Sequence, residues 1–305
     1  MVDFEGLLGI ITIPNLFMNF LRKIISKLFW GFFRHLLSDK LYTKVRYWLE
    51  VDKKLNLNNP RLFTEKIQYI KLFDQRAIRK LFANRVAVRD YVADKIGDEH
   101  LIPLIGNYDE LTRDNWNYLP DQFVLKANHG SGMVEIIKEK KKNSFEKIHT
   151  VTKEWQRTNY YRFGREWAYK NLPRTIVAEN LLLNSQNEIP KDYKFFCFSG
   201  NVELIQVDLN RFGKHKQNLF DRNFNRIDGM LLDPPYSGTI PKPDLLDKAI
   251  NLAEILSDGI NFVRVDLYLL KNKIYFGELT NYPLNGFVPF KPEELEQKMG
   301  ALIKL

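Results

Sequence analysis

The stretch FVRVDLYLLKNKIYFGELTNYPLNG, residues 262–286, restricts the fold more than any other part of the chain. It reads as two apolar strands joined by a short turn, with Asp266 inside the first and Glu278 inside the second. A carboxylate buried without a partner is costly, so both acids must be matched by cations. Adjacent strands of a hairpin can bring the two onto one side of a sheet, and Arg264, two residues from Asp266, faces the same way. Oxygen ligands of this kind suit Mg²⁺, which commonly takes one or two carboxylates and completes its shell with phosphate oxygens and water. The same residues also fit a structural ion pair of Arg264 with Asp266 or Glu278.

A second motif bears on phosphate. The segment QFVLKANHGSGMVEIIK, residues 122–138, reads as strand, Gly-rich loop and strand. A P-loop carries its lysine after the glycines, at the start of a helix. Here Lys126 precedes the loop and lies on a strand, which gives a β-loop-β flap. Its backbone N–H groups can fold over a triphosphate while Lys126 pairs with the phosphates from below. A plain hairpin turn at Gly130 and Gly132 accounts for the same letters.

The chain has 305 residues, 45% of them hydrophobic, enough to bury a substantial core in one large domain or two to three small ones. Its formal charge of +9 suits anionic partners such as nucleotide phosphates, acidic glycans, anionic lipid or nucleic acid. Cys197 is the single cysteine, so an intrachain disulfide and a Cys-based zinc cage are excluded. It sits in the apolar run Phe195 to Phe198, where a small buried side chain is expected.

Residues 1–40 stand apart as an amphipathic, basic extension. Asp3 and Glu5 replace the basic start of a signal peptide, and Pro14, Asn15 and Asn19 break any membrane-spanning run. From Leu21 to Leu37 the apolar spacing is helical, and residues 21–40 carry five Lys/Arg against one Asp. A basic amphipathic helix of this kind fits an anionic membrane surface, and it fits equally a helix packed on its own domain or on a partner subunit.

Beyond it, residues 60–98 read as helical, with Thr64 as a cap and Asn84 opening a second segment. Strands are expected at 101–106, 122–127, 133–138, 175–179, 193–198 and 202–207, with helix around 145–170 and at 244–257. The composite is α+β with antiparallel sheets in the second half.

Taken together, these strings resemble a known family. FVRVDLY…KIYFGELTNYPLNGF resembles the metal-binding end of the ATP-grasp superfamily, typified by D-alanine–D-alanine ligase. Residues 41–305 resemble the narrower TupA-like ATP-grasp family, named for teichuronopeptide synthesis. The strings that carry this are IPLIGNYDE, LPDQFVLKANHGSG, REWAYKN, RTIVAEN, KDYKFFCFSG, IQVDLNRFGKHKQNLFD and FGELTNYP, in that order.

The resemblance implies an ATP-grasp fold in which two α+β subdomains grip ATP between antiparallel sheets. Residues 41–120 would form an N-terminal helical and α/β region, 121–178 the small subdomain with its flap, and 179–305 the large subdomain with the metal site. Lys126 would contact the ATP phosphates beneath a flap of His129, Gly130, Ser131 and Gly132. The backbone of Asn180 and Leu181 would read the adenine edge, with Glu179 nearby, and Lys194 would neutralise phosphate. Asp266 and Glu278 would hold one or two Mg²⁺ ions, and Arg264 would stabilise the transferring phosphoryl group. The usual Asn ligand two residues past the second acid is replaced by Thr280, a weaker ligand, and Asn281 stands next to it.

By the same logic the activity would be an ADP-forming carboxylate–amine ligase acting through an acyl phosphate. Its substrate would be a uronic acid or acidic amino acid of a bacterial capsule or other surface polysaccharide precursor, free or lipid-linked, with an amine as donor. That role would place the protein in the cytoplasm, peripheral to the inner face of the membrane. Arg211, His215 and Gln217, in LNRFGKHKQN, form either a surface hairpin or a clamp on the acceptor carboxylate, with His215 as a candidate general base. YYRFGREWAYKN interleaves aromatic and basic residues for sugar contact or simple packing. No nucleic-acid module is recognisable. Two rival readings remain: a glycosyltransferase of surface-polysaccharide synthesis, and a nucleotide-bound membrane scaffold without catalysis.

Overall fold

The computed structural model describes residues 15–31, 33–209 and 215–305. The chain divides into two units, residues 1–55 and 56–305. In the first, α1 (Asn15–Gly31) and α2 (Asp39–Val51) are joined by a short turn. Ser38 caps α2 by accepting the N–H of Leu41 (3.4 Å). The apolar stripe of the extension divides. Phe29 turns inward onto Tyr42, ring centroids 5.2 Å apart, while Ile24, Leu28, Phe33 and Leu36 stay exposed. Arg22 ties the pair together, lying 2.5 Å from Asp52 and donating to the carbonyls of Trp48 and Leu49. Phe32 and the side chain of Leu21 lie outside the described residues. Among the described residues no helix is long and apolar enough to cross a membrane.

The second unit opens with α3 (Phe63–Phe73), α4 (Ala77–Ala83) and α5 (Val88–Ile96). Thr64 does not cap α3. The helix begins at Phe63, and Thr64 is fully buried, giving its N–H (2.8 Å) and hydroxyl (2.6 Å) to Glu296. Glu65 serves the helix start instead, its carboxylate accepting the N–H groups of Arg61 and Leu62 at 2.8 and 3.1 Å. Asn84 does open α5: its side-chain oxygen accepts the N–H groups of Val86 and Ala87 in the turn before the helix, both at 3.1 Å.

Two antiparallel sheets follow. The first is four-stranded, in the order β1-β4-β2-β3: β1 (Leu104–Tyr108), β2 (Phe123–Ala127), β3 (Val134–Ile137) and β4 (Ile176–Asn180). Its core of Phe123, Leu125, Ile176 and Ala178 is covered by Trp116 of α6 (Arg113–Tyr118) and Ile148 of α7 (Phe145–Arg157). The second sheet is six-stranded, order β10-β9-β5-β6-β7-β8. Its strands are β5 (Asp192–Phe198), β6 (Asn201–Leu209), β7 (Lys216–Phe220), β8 (Arg226–Ile227), β9 (Phe262–Leu270) and β10 (Lys273–Thr280).

Strand alternation explains how the second sheet is covered on both faces. Tyr193, Phe195 and Cys197 of β5 and Val263, Val265 and Leu267 of β9 point to one face, where the helix α9 (Leu246–Ser257) covers them. Burial there pushes the Cys197 thiol up to about 12, as expected of an inert buried side chain. The opposite face is apolar at one end only. Phe196, Phe198 and Phe262 meet Phe63 of α3 and Phe290, with centroid distances such as 5.2 Å for Phe63–Phe262 and 5.7 Å for Phe196–Phe290. Further along the same face, the residues at the same alternation become Lys194, Asp192, Arg264 and Asp266. There the helices α3 and α10 (Glu293–Leu302) give way to a cavity.

Candidate functional site

The cavity has a volume of about 650 Å³, with Lys126, Ser131, Gly132 and Glu179 on the first sheet's side and Lys194, Asp208, Arg264, Asp266 and Glu278 on the second's. On β2, Phe123 and Leu125 face the core, so Lys126 is turned to the cavity. Its ammonium lies 2.5 Å from Glu179 of β4, which Arg89 of α5 also approaches at 3.4 Å.

Loop 128–132 closes where Ala127 N–H meets the Met133 carbonyl (3.0 Å). Ser131 and Gly132 reach the cavity, and Gly132 sits at φ +76°, where a side chain would be strained. His129 does not reach it. Its ring is buried against α7, Nε2 2.9 Å from the Trp155 carbonyl, and burial lowers its pKa. Arg85, in the turn before α5, holds the loop at its root by donating to the carbonyls of Ala127 and Gly130, both at 3.1 Å.

Leu181 and Asn180 line the cavity at the end of β4. The Asn180 N–H already goes to the Pro103 carbonyl (3.0 Å), so it is not free to read a bound ring.

The acids converge as expected, through a device that alternation alone does not reveal. Ile274 and Phe276 of β10 point into the core under α9, and strict alternation would send Glu278 after them. A register shift between Phe276 and Glu278 prevents this. Phe276 pairs with Leu267, Glu278 pairs with Asp266, and Gly277 forms the bulge. Glycine is required there, because an added Cβ would stand 2.9 Å from the Asp266 carbonyl oxygen.

Arg264 grips Asp266 with two parallel bonds, Nε to Oδ1 at 2.7 Å and Nη2 to Oδ2 at 2.6 Å, and approaches Glu278 at 3.4 Å. Arg85 approaches Glu278 from the other sheet's side at 3.5 Å. Burial drives the Asp266 carboxyl up against the pull of Arg264 and Lys194, to about 7. Glu278 retains more contact with solvent, its side chain 34% exposed. Burial raises it too, but Arg85, Arg264 and the Thr280 hydroxyl outweigh that and hold it at about 2.

Lys194 pairs in register with Asp266 on one side and Gln206 on the other. Its ammonium lies 2.6 Å from Asp192 and 2.5 Å from Asp208. Burial opposes its charge, but Asp192, Asp266 and Asp208 outweigh that and raise its pKa. His215 lines the cavity beyond Asp208, with Nδ1 2.6 Å from Asp233. Arg211 lies outside the described residues.

Thr280 lines up beside the acids, but its oxygen is engaged. The hydroxyl donates to Glu278 Oε1 (2.8 Å) and accepts from Arg264 Nη2 (3.1 Å), so it orients the carboxylate. Asn281 points the other way, exchanging bonds with Arg79: its amide donates to the Arg79 carbonyl (2.8 Å), and its oxygen accepts from Nη1 (3.2 Å). It cannot stand in for a missing ligand. Among the described residues no group of three or more His, Cys, Asp or Glu forms a metal cage. The donor set is therefore two hard carboxylates, which fits an ion that takes the rest of its shell from phosphate and water.

Sequence reasoning missed Arg85, Arg89, Asp192, Gln206, Asp208 and Asp233. A signal existed for three of them. Asp192 and Lys194 are two apart on a strand, as are Gln206 and Asp208, which is the spacing of a shared polar face. In the aromatic-basic stretch, Tyr160 packs edge-on against Tyr169 (4.7 Å), and Lys80 lies over the Trp167 ring (4.8 Å), while Phe163 stays exposed.

No curated protein matches the chain. Among solved structures, the D-alanine–D-alanine ligase of Bacillus anthracis is 14% identical with a TM-score of 0.38, the match covering 66% of this chain and 56% of the ligase. The ATP-grasp ligase PsnB, complexed with a phosphomimetic variant of its minimal precursor, Mg and ADP, is 8% identical with a TM-score of 0.42, covering 84% of this chain and 64% of PsnB. The D-alanine–D-alanine ligase of Helicobacter pylori is 14% identical with a TM-score of 0.39, covering 79% and 69%. This chain thus spans little more than half the length of the Bacillus anthracis ligase. Identities and TM-scores this low leave the assignment to a family model, TupA-like ATP-grasp, which matches residues 65–304. The chain belongs to the TupA-like ATP-grasp family, and its two antiparallel sheets are those of an ATP-grasp fold.

Proposed function

We propose that the protein is an ATP- and Mg²⁺-dependent carboxylate–amine ligase. The observation that carries this is the Asp266–Glu278 pair, set in register in a cavity whose other wall presents Lys126 and the 128–132 loop. Asp266 and Glu278 are the residues that would hold Mg²⁺. Bound there, the ion would neutralise charge on phosphate oxygens.

The chain's own cations do the rest. Lys126 leaves Glu179 to meet the nucleotide phosphates, and Ser131 and Gly132 close over them. Arg264 and Lys194 offset charge on the phosphoryl group as it passes to the substrate carboxylate. The amine then displaces phosphate from the acyl carbon, leaving an amide, ADP and phosphate. Positioning and charge neutralisation suffice, and no protein nucleophile is needed.

The acceptor is a uronic acid or acidic amino acid unit of a bacterial surface polysaccharide precursor. The exposed Ile24, Leu28, Phe33 and Leu36 beside Lys23 and Lys27 fit contact with an anionic membrane face where a lipid-linked acceptor would reside.

Mass spectrometry after incubation with ATP, Mg²⁺, pooled uronic acids and pooled amino acids tests the reading. An amide product with ADP and phosphate supports it. In a parallel incubation with UDP-sugars, release of UDP would make the protein a glycosyltransferase, and ATP binding without turnover would make it a scaffold.

A further inference from the structure

The polar face continues past Lys194, away from the acid pair. In register across the strands run Glu278, Asp266, Lys194 and Gln206, and beside them Asp192, Asp208 and Gln217. Gln206 on β6 is two strands from Asp266 on β9, roughly 10 Å at the usual strand spacing.

At this far end, two buried side-chain atoms have no hydrogen-bond partner. Gln206 is only 5% exposed; its amide donates to Asp208 (2.7 Å), and its Oε1 has no hydrogen-bond partner. His215 Nδ1 lies 2.6 Å from Asp233 Oδ2, a partner to which it can only donate. Its Nε2 is buried without a hydrogen-bond partner and lies 3.7 Å from Asp208. Gln217 fixes the segment that bears Asp233 by donating to its backbone carbonyl (3.1 Å). Buried polar atoms are costly when unpaired, and one ligand bearing several N–H groups would satisfy both.

The geometry points to this end of the cavity as the subsite of the amine substrate, with His215 Nε2 as the base that takes its proton and Asp233 as the positioning residue behind the imidazole. This rests on the ligase reading above. A primary ammonium bound to Asp208 and Gln206 gives one proton to Nε2, which passes it to solvent. The neutral nitrogen forms its bond to the acyl carbon. The C–O bond to phosphate breaks, phosphate leaves with that electron pair, and the second amine proton departs with it. Charges facing His215 are Asp233, Asp208 and, behind Asp208, Lys194.

The test compares two nucleophiles in the full-length protein with ATP, Mg²⁺ and pooled uronic and amino acids. Hydroxylamine is already neutral at neutral pH and reports acyl phosphate formation as hydroxamate; pooled amino acids report amide formation. His215→Gln should cut amide formation on the order of 100-fold or more, with hydroxamate yield within a few fold of the parent. Asp233→Asn should give a smaller loss, and raising the pH should restore much of the amide rate in both. Equal losses with both nucleophiles, or unchanged amide formation, overturn the proposal, as does a wild type that makes hydroxamate but no amide from any pooled amine. A wild type that makes no hydroxamate overturns the ligase reading itself.

Discussion

Glu278 stands directly opposite Asp266 across β9 and β10 because Gly277 bulges between them and the core-facing Phe276. The bulge places both acids in the cavity with no spare room beneath it. Gly277→Ala should therefore push on the Asp266 carbonyl and cost about 1–3 kcal/mol of stability. Mg²⁺-dependent ATP turnover should fall more steeply than melting temperature, since the displaced atoms belong to the acid pair. Thermal melts and turnover measured together check this.

The Asp266 carboxyl, raised to about 7, gives the metal-free protein a particular pH response. A raised folded-state value favours the neutral form, so this group's stabilising effect is full below about pH 4 and is lost as pH rises through about 7. The ion requires the ionised form, so Mg²⁺ affinity should move the opposite way, strengthening as pH rises from 6 to 8. Calorimetric titration should also detect proton release in that window. Asp266→Asn should abolish both trends.

Arg85 links the glycine loop to the acid pair by donating to Ala127 and Gly130 and approaching Glu278 at 3.5 Å. Arg85→Ala frees the loop and removes a cation that holds the Glu278 carboxyl low. Loss of charged hydrogen bonds at about 1.5–3 kcal/mol each predicts ATP binding weakened by at least tenfold. Protease sensitivity between residues 128 and 132 should rise in the same variant. A loop as resistant as the parent's would mean Arg85 does not anchor it.

Arg79 is fully buried and bolts α4 to the hairpin. It donates to the Phe262 carbonyl (2.7 Å), Asn261 (2.5 Å) and Asn281 (3.2 Å), with Asp74 as its counter-charge at 2.9 Å. Burial raises the Asp74 carboxyl, but Arg76 and Arg79 outweigh that and hold it at about 2. A lowered folded-state value contributes stability above about pH 4 that is lost as pH falls toward 2. Asp74→Asn leaves the guanidinium uncompensated and should cost about 3–5 kcal/mol. Urea denaturation at pH 7 and pH 3 tests it: the gap between parent and variant should shrink at the lower pH.

These residues also mark how far the sequence could be read. Strands β5, β6, β9 and β10 were legible because their apolar and β-branched runs have one clear period. The convergence of Asp266 and Glu278 was legible because two buried charges demand a shared solution. The bulge was not, since Gly277 reads as an ordinary strand residue until its register with Leu267 and Asp266 is known. Arg85 and Asp233 were hidden for a similar reason. Each sits in a turn or loop, and only tertiary folding carries it to the cavity. Thr64 misled because a helix-start threonine usually caps, whereas here Glu296, more than two hundred residues later, takes its hydroxyl.

The most direct measurement is calorimetric titration of Mg²⁺-ATP into the parent protein, Asp266→Asn and Glu278→Gln. The account predicts that both variants keep the parent's melting temperature to within a few degrees, lose Mg²⁺-dependent enhancement of nucleotide binding, and no longer form ADP. Parent-like Mg²⁺-ATP affinity and ADP formation in both variants would contradict it.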